Sequence, residues 1–164
     1  MDHDKALRQH LLELLRGGHA HLTFDDAVRD FPRELRGAKP KDVPHSAWQL
    51  LEHLRLAQRD ILDFSRNENG EYRELKWPDD YWPKSAAPPD EGAWDKSVAE
   101  VSADARAFEH LIQDPGRDLF AKFSWGDGQT LLREALLLAD HNSYHTGQLA
   151  FLRKLLSDRP IGRG

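Results

Sequence analysis

Apolar residues recur at helical spacing in four stretches of this chain. Over residues 4–16, Leu7, Leu11, Leu14 and Leu15 predict a short amphipathic helix, interrupted by Gly17-Gly18. Further on, Leu50, Leu54, Ala57, Ile61 and Phe64 step alternately by four and three, and predict a helix of about 20 residues facing a bundle core. Ser46 with Gln49 three residues later marks its start as a capping box. Trp94, Val98, Val101, Ala105, Phe108 and Ile112 predict a third helix over roughly 92–113, ended by Pro115-Gly116. After the Asp127-Gly128 turn, Leu131, Ala135, Leu138, Asn142, His145, Leu149, Leu152 and Leu156 keep the same alternation. Two polar residues, Asn142 and His145, thus stand in an otherwise apolar seam.

The connections differ in character. Thr23 with Asp26 resembles a capping box and starts a short helical piece reaching Phe31, before Pro32. Residues 33–45 read as a connector. Asn67 to Gly92 is a long connection holding Trp77-Pro-Asp-Asp-Tyr-Trp-Pro83 and Pro88-Pro89. Loops of that length are uncommon without a purpose. Pro160 and the glycines after it read as a frayed tail. No alternating β pattern longer than a few residues occurs. The expected fold is all-α: one domain over 1–164, a four-helix bundle with the long connection between its second and third main helices.

Composition removes several functions. The chain has no cysteine, which excludes disulfides, thiolate ligands and a cysteine nucleophile. Its net charge is −5 with both signs interspersed, so nucleic acid is not an expected partner. No run approaches the ~20 apolar residues of a membrane span, and the first residues lack the apolar core of a signal peptide. A cytoplasmic protein acting on a small molecule, away from membranes, is the expectation.

The candidate chemistry lies in three histidines. His141 and His145 are one turn apart on the last helix. With His141 at 0°, His145 lies at about 40° and Gln148 at about −20°. Leu138 lies at about 60° and Leu152 at about 20° on the same scale. His53, three residues after Leu50 and four before Ala57, also points inward. Two histidines of one helix and one of a facing helix can form a metal tripod with an open fourth position. Zinc and nickel both accept imidazoles. The bland alternative is equally open on these residues alone: a buried histidine satisfied by a backbone carbonyl. Asn142 follows His141 where a zincin protease carries its Glu base, which disfavours that peptidase chemistry. No phosphate loop and no nucleophile elbow occurs.

Other residues are candidates at the edge of such a site. Gln148 shares the histidine stripe and could position substrate. Trp77, Tyr81 and Trp82 could line a pocket mouth or anchor the loop on the bundle. His10, between Leu7 and Leu14, could face the pocket or straddle the seam's edge, the latter being favoured. His110 reads as surface. His3, His19, His21 and His45 read as solvated residues of termini and connectors.

These segments together carry a resemblance. Trp48-Gln-Leu-Leu-Glu-His53, the Trp-Pro-Asp-Asp-Tyr-Trp-Pro loop and Gly126-Asp-Gly-Gln-Thr-Leu-Leu-Arg-Glu134, running into Asp140-His-Asn-Ser-Tyr-His-Thr-Gly-Gln-Leu149, resemble the DinB/YfiT-like superfamily of metal-dependent enzymes. The likeness extends over nearly the whole chain. It implies a four-helix bundle, a homodimer, and a divalent metal held by His53, His141 and His145. It also implies, as activities of relatives, transfer of a low-molecular-weight thiol co-substrate to an electrophile, or isomerisation of maleylpyruvate. Metal-water hydrolysis is the nearest enzymatic variant. The alternative class is a non-catalytic metal-binding bundle serving as a stress-linked interaction module. Trp125 replaces a polar residue of relatives ahead of Gly-Asp-Gly. If it borders the cavity, the substrate of a relative does not carry over.

Overall fold

The computed structural model of the protein describes residues 3–157, so the tail beginning at Pro160 lies outside the described residues. The helices are α1 (His3–Arg16), α2 (Phe24–Val28), α3 (Ala47–Ser65), α4 (Ala93–Gln113) and α5 (Leu131–Ser157). The four long ones, α1, α3, α4 and α5, form the core. The long connection runs between α3 and α4, the second and third of them. Among the described residues the only extended pairing is an isolated bridge of Lys122 with Thr130, so there is no sheet. No described helix is long and apolar enough to cross a membrane.

α3 is the central element. Twelve of its 19 residues are buried, too many for one stripe, because it packs against both α4 and α5. Its start is the expected capping box: the Ser46 hydroxyl accepts from the Gln49 backbone N–H, and the Gln49 side chain accepts from the Ser46 N–H. Thr23 and Asp26 cap α2 in the same way. That helix stops at Val28, short of the expected Phe31. Asp30 takes a left-handed backbone conformation (φ 52°), and Phe31 turns into the core against Trp94.

α1 keeps most of its expected face on the core, with Leu11 buried and Leu7 and Leu15 packed partly buried against it, but the edge of that face differs. Arg8, Leu11 and Leu12 are buried, while Leu14 is 55 % exposed. Arg8 is anchored on that edge, where its guanidinium donates to the carbonyls of Ile112 (2.7 Å), Asp114 (3.0 Å) and Arg117 (2.6 Å). A cation there suits the C-terminal end of α4 and the turn after it, where carbonyls point outward.

Two apolar clusters fill the bundle. One gathers Phe31, Trp48, Leu51, Leu54, Trp94 and Leu149. The other gathers Leu11, Leu62, Phe108, Ile112, Leu131 and Leu138. Between them on α3 and α5 lies a polar layer. Gln58, fully buried, donates to the Val101 carbonyl (2.6 Å) and accepts from the Asn142 side chain (2.6 Å). The long connection is laid along α3 in antiparallel sense. Ser46 donates to the Ala86 carbonyl (2.5 Å), Gln49 to that of Pro83 (3.4 Å) and His53 to that of Tyr81 (3.0 Å). Spacings of three and four put these donors on one helical face.

Candidate metal centre

His53 enters from the middle of α3, and His141 and His145 from successive turns of α5. One ring nitrogen from each can be chosen so that all lie within 4.8 Å of one another. His53 is 2 % and His145 7 % exposed, and His141 is half-buried. Nε2 of His53 stands 3.2 Å from Nε2 of His141.

Each imidazole is oriented from its far side. Nδ1 of His53 faces the Tyr81 carbonyl, which can only accept, so that nitrogen carries the proton. Nδ1 of His145 faces Oε1 of Gln148 at 2.7 Å. Nδ1 of His141 faces Oδ1 of Asn142 at 3.4 Å, and Asn142 is itself held by Gln58. With protons on the three Nδ1 atoms, the three Nε2 lone pairs are left free. Those of His53 and His141 stand against each other, an arrangement that a cation between the rings would relieve. In a tetrahedral zinc site with Zn–N of about 2.0–2.1 Å, ligand nitrogens are roughly 3.3 Å apart, close to the observed spacing. The donor set fits a divalent ion.

Electrostatics point the same way. Burial lowers the basicity of all three rings. His145 is brought down to about 4 by burial first, then by its neighbours His141 and His53. The rings are therefore neutral at pH 7, the state a metal ligand requires. Among the described residues no carboxylate or fourth histidine joins the group.

The surroundings sort the remaining candidates. Trp82 lies flat on His53, with ring centroids 3.9 Å apart, and His45 stacks on Trp82, also at 3.9 Å. His45 is thus half-buried beside the site, with its basicity lowered by burial, rather than solvated in a connector. Its partner lies on a distant loop, so nothing local in the sequence reveals the contact. Trp77 stands further out, 71 % exposed, 6.4 Å from the His53 ring. Tyr81 meets His53 through its backbone. Gln148 is engaged with His145 and also lines a cavity of about 150 Å³ formed with His45, Leu50, Phe151 and Leu155.

Two candidates fall elsewhere. His10 is on the exposed side of α1, beside Glu13, because Arg8, Leu11 and Leu12 take the buried face. His3, His19, His21 and His110 are exposed too. Trp125 packs at the far end of α3, donating to the Phe64 carbonyl (2.9 Å) and stacking on Phe123. It lines a separate cavity of about 320 Å³ with Asp60, Tyr72 and Glu134. Gln58 and Asp60 were not singled out in the sequence, and Asn142 was noted there without a role beside the histidines. Asn142 stood visibly in the α5 seam, and Asp60 follows His53 by two turns on one face.

No curated protein and no solved structure matches the chain. The sequence profile of the DinB superfamily does match, over residues 19–149. That span includes α3, the long connection, α4 and all three clustered histidines, and on this match the chain belongs to the DinB superfamily.

Proposed function

We propose that the protein is a divalent-metal-dependent enzyme, with His53, His141 and His145 holding zinc or nickel. The observation that carries this is the convergence of three neutral imidazoles, each oriented at Nδ1, with no carboxylate or fourth histidine joining them among the described residues. A structural zinc site is normally closed by four protein ligands, whereas three leave a position for a small molecule. An ion held there lowers the pKa of a thiol or water that reaches it.

The reaction proposed is transfer of a low-molecular-weight thiol to an electrophile, with metal-water hydrolysis as the variant. Among the described residues no carboxylate joins the rings, which suits a reaction whose nucleophile is made acidic by the ion. Trp82 covers one face of His53 and keeps water from it. The apolar cavity beside Gln148 is placed to take the body of the electrophile. The protein is further proposed to act in the cytoplasm as a homodimer.

The test begins with untagged protein and measures bound metal by elemental analysis. The metal-loaded and chelated forms are then compared for loss of free thiol in the presence of small electrophiles. Metal-dependent thiol consumption supports transfer. Stoichiometric metal with neither thiol consumption nor ester or amide hydrolysis would favour the non-catalytic, interaction-module alternative.

A further inference from the structure

Asp60 lies two turns beyond His53 on α3, on the same face. It is too far along the helix to join the three histidines and belongs to none of their contacts. Its carboxylate nevertheless accepts two hydrogen bonds from the long connection. Tyr81 donates its hydroxyl to Oδ2 at 2.7 Å, and Tyr72 donates to Oδ1 at 3.0 Å. Both phenols stay protonated. Burial first, then the charge and hydrogen bonding of Asp60, raises their pKa well above the usual tyrosine range.

Tyr81 therefore does two things at once. Its side chain is tied to Asp60, and its backbone carbonyl faces Nδ1 of His53 at 3.0 Å. It sits in the single-turn 3-10 helix Asp79–Tyr81, with exposed residues before it and Trp82 after it. Such a turn has few internal hydrogen bonds to fix its position. This turn is tied to α3 by His53 at its backbone and by Asp60 at its side chain. Hydrogen bonds to a carboxylate are shorter and stronger than neutral ones.

We infer that Asp60 is a positioning residue for His53, acting through the Tyr81 hydroxyl to hold the Tyr81 carbonyl where it fixes the proton on Nδ1 and leaves Nε2 free. The inference rests on the proposed metal site but can be read without metal. Partners of this kind in metal sites typically change metal affinity ~10–100-fold when removed. The same clamp sets Trp82, the next residue, flat on the His53 ring. The arrangement makes one carboxylate responsible for both the orientation and the cover of that histidine.

The experiment uses Tyr81→Phe, which deletes one hydroxyl, and Asp60→Ala, alone and together. The first readout is the His53 tautomer in metal-free protein, from long-range proton–nitrogen correlation spectra. The second is zinc affinity against a competing chelator. The third is the melting temperature. In the unsubstituted protein His53 carries its proton on Nδ1. Each variant is expected to give mixed tautomers and to lose ~10-fold or more in zinc affinity. The double variant is expected to lose no more than the worse single one, since both act through one bond. A His53 tautomer unchanged in both variants overturns the inference, whatever the melting temperature does. Zinc affinity within twofold in both variants also overturns it and leaves Asp60 a loop anchor. If the unsubstituted protein binds no zinc, the metal reading fails and the tautomer alone decides this one.

Discussion

The indole of Trp82 lies on the imidazole of His53 with ring centroids 3.9 Å apart and planes only 2° from parallel. This joins the long connection to the centre of the bundle. Trp82→Ala removes the cover while leaving all three imidazoles in place. The expected cost is about 1–3 kcal/mol, below the ~3–5 of a fully buried aromatic because Trp82 is only half-buried. Metal content should change little, and turnover or thiol binding should change more. Elemental analysis beside steady-state kinetics checks this. An equal loss of metal and turnover would show that Trp82 is only a structural anchor.

His141→Ala and His145→Ala should each strip the metal and leave the fold standing. Both apolar clusters lie outside the histidine cluster and remain intact. Metal per chain by elemental analysis and helix content by circular dichroism separate the two effects. Room-temperature unfolding of the metal-free protein would identify the metal as structural instead.

The metal-free protein should lose stability as pH falls from 6.5 towards 4. The sign follows from the depressed basicity of His145, brought from 6.5 to about 4 in the fold. Above 6.5 the ring is neutral in both folded and unfolded chains and contributes no pH dependence. Below 6.5 the unfolded chain takes up a proton that the folded ring refuses, so unfolding is favoured, and the loss is complete below about 4. His53 and His141 are shifted in the same direction. Denaturant titrations across this range should show the decline. His145→Gln should flatten it.

Ser46→Ala should cost about 1–2 kcal/mol in stability. The hydroxyl caps α3 and also donates to the Ala86 carbonyl of the long connection. Thermal unfolding measures the total. Protection of the Ala86 segment from limited proteolysis should fall with it, and unaltered protection would confine Ser46 to its capping role.

Gly37→Ala should destabilise through crowding. A Cβ at Gly37 would stand 2.6 Å from the Ala87 Cβ and 3.0 Å from the Ala87 Cα, so the first connector and the long connection would have to separate. Overpacking of this kind costs about 1–3 kcal/mol. Chemical denaturation reads the loss. Pairing the change with Ala87→Gly should recover part of it if the contact is its source.

Much of this protein is legible along the chain, because helix formation and capping are local. The alternating steps from Leu50 to Phe64, from Trp94 to Ile112 and from Leu131 to Leu156 all fall within observed helices. Ser46 with Gln49 marks the start of α3 to the residue. The inward setting of His53, His141 and His145 follows from the same periodicity, since a residue in register with leucines shares their face. Tertiary structure decided what distant segments do to one another. Arg8 is buried in α1 because it reaches carbonyls at and just beyond the end of α4, which no apolar count within α1 contains. His45 was brought to the site by stacking on Trp82, and Trp125 was taken away from it by packing on Phe123 and Phe64. Asn142 and Gln148 face the α5 histidines from within the same helix, but the carbonyl of Tyr81 reaches His53 through the docking of the long connection, which Ser46, Gln49 and Asp60 tie to α3. Periodicity says which way a side chain faces. Only the folded chain brings the Tyr81 carbonyl to 3.0 Å from His53, because that distance is set by the docking of separate elements rather than by the pitch of one.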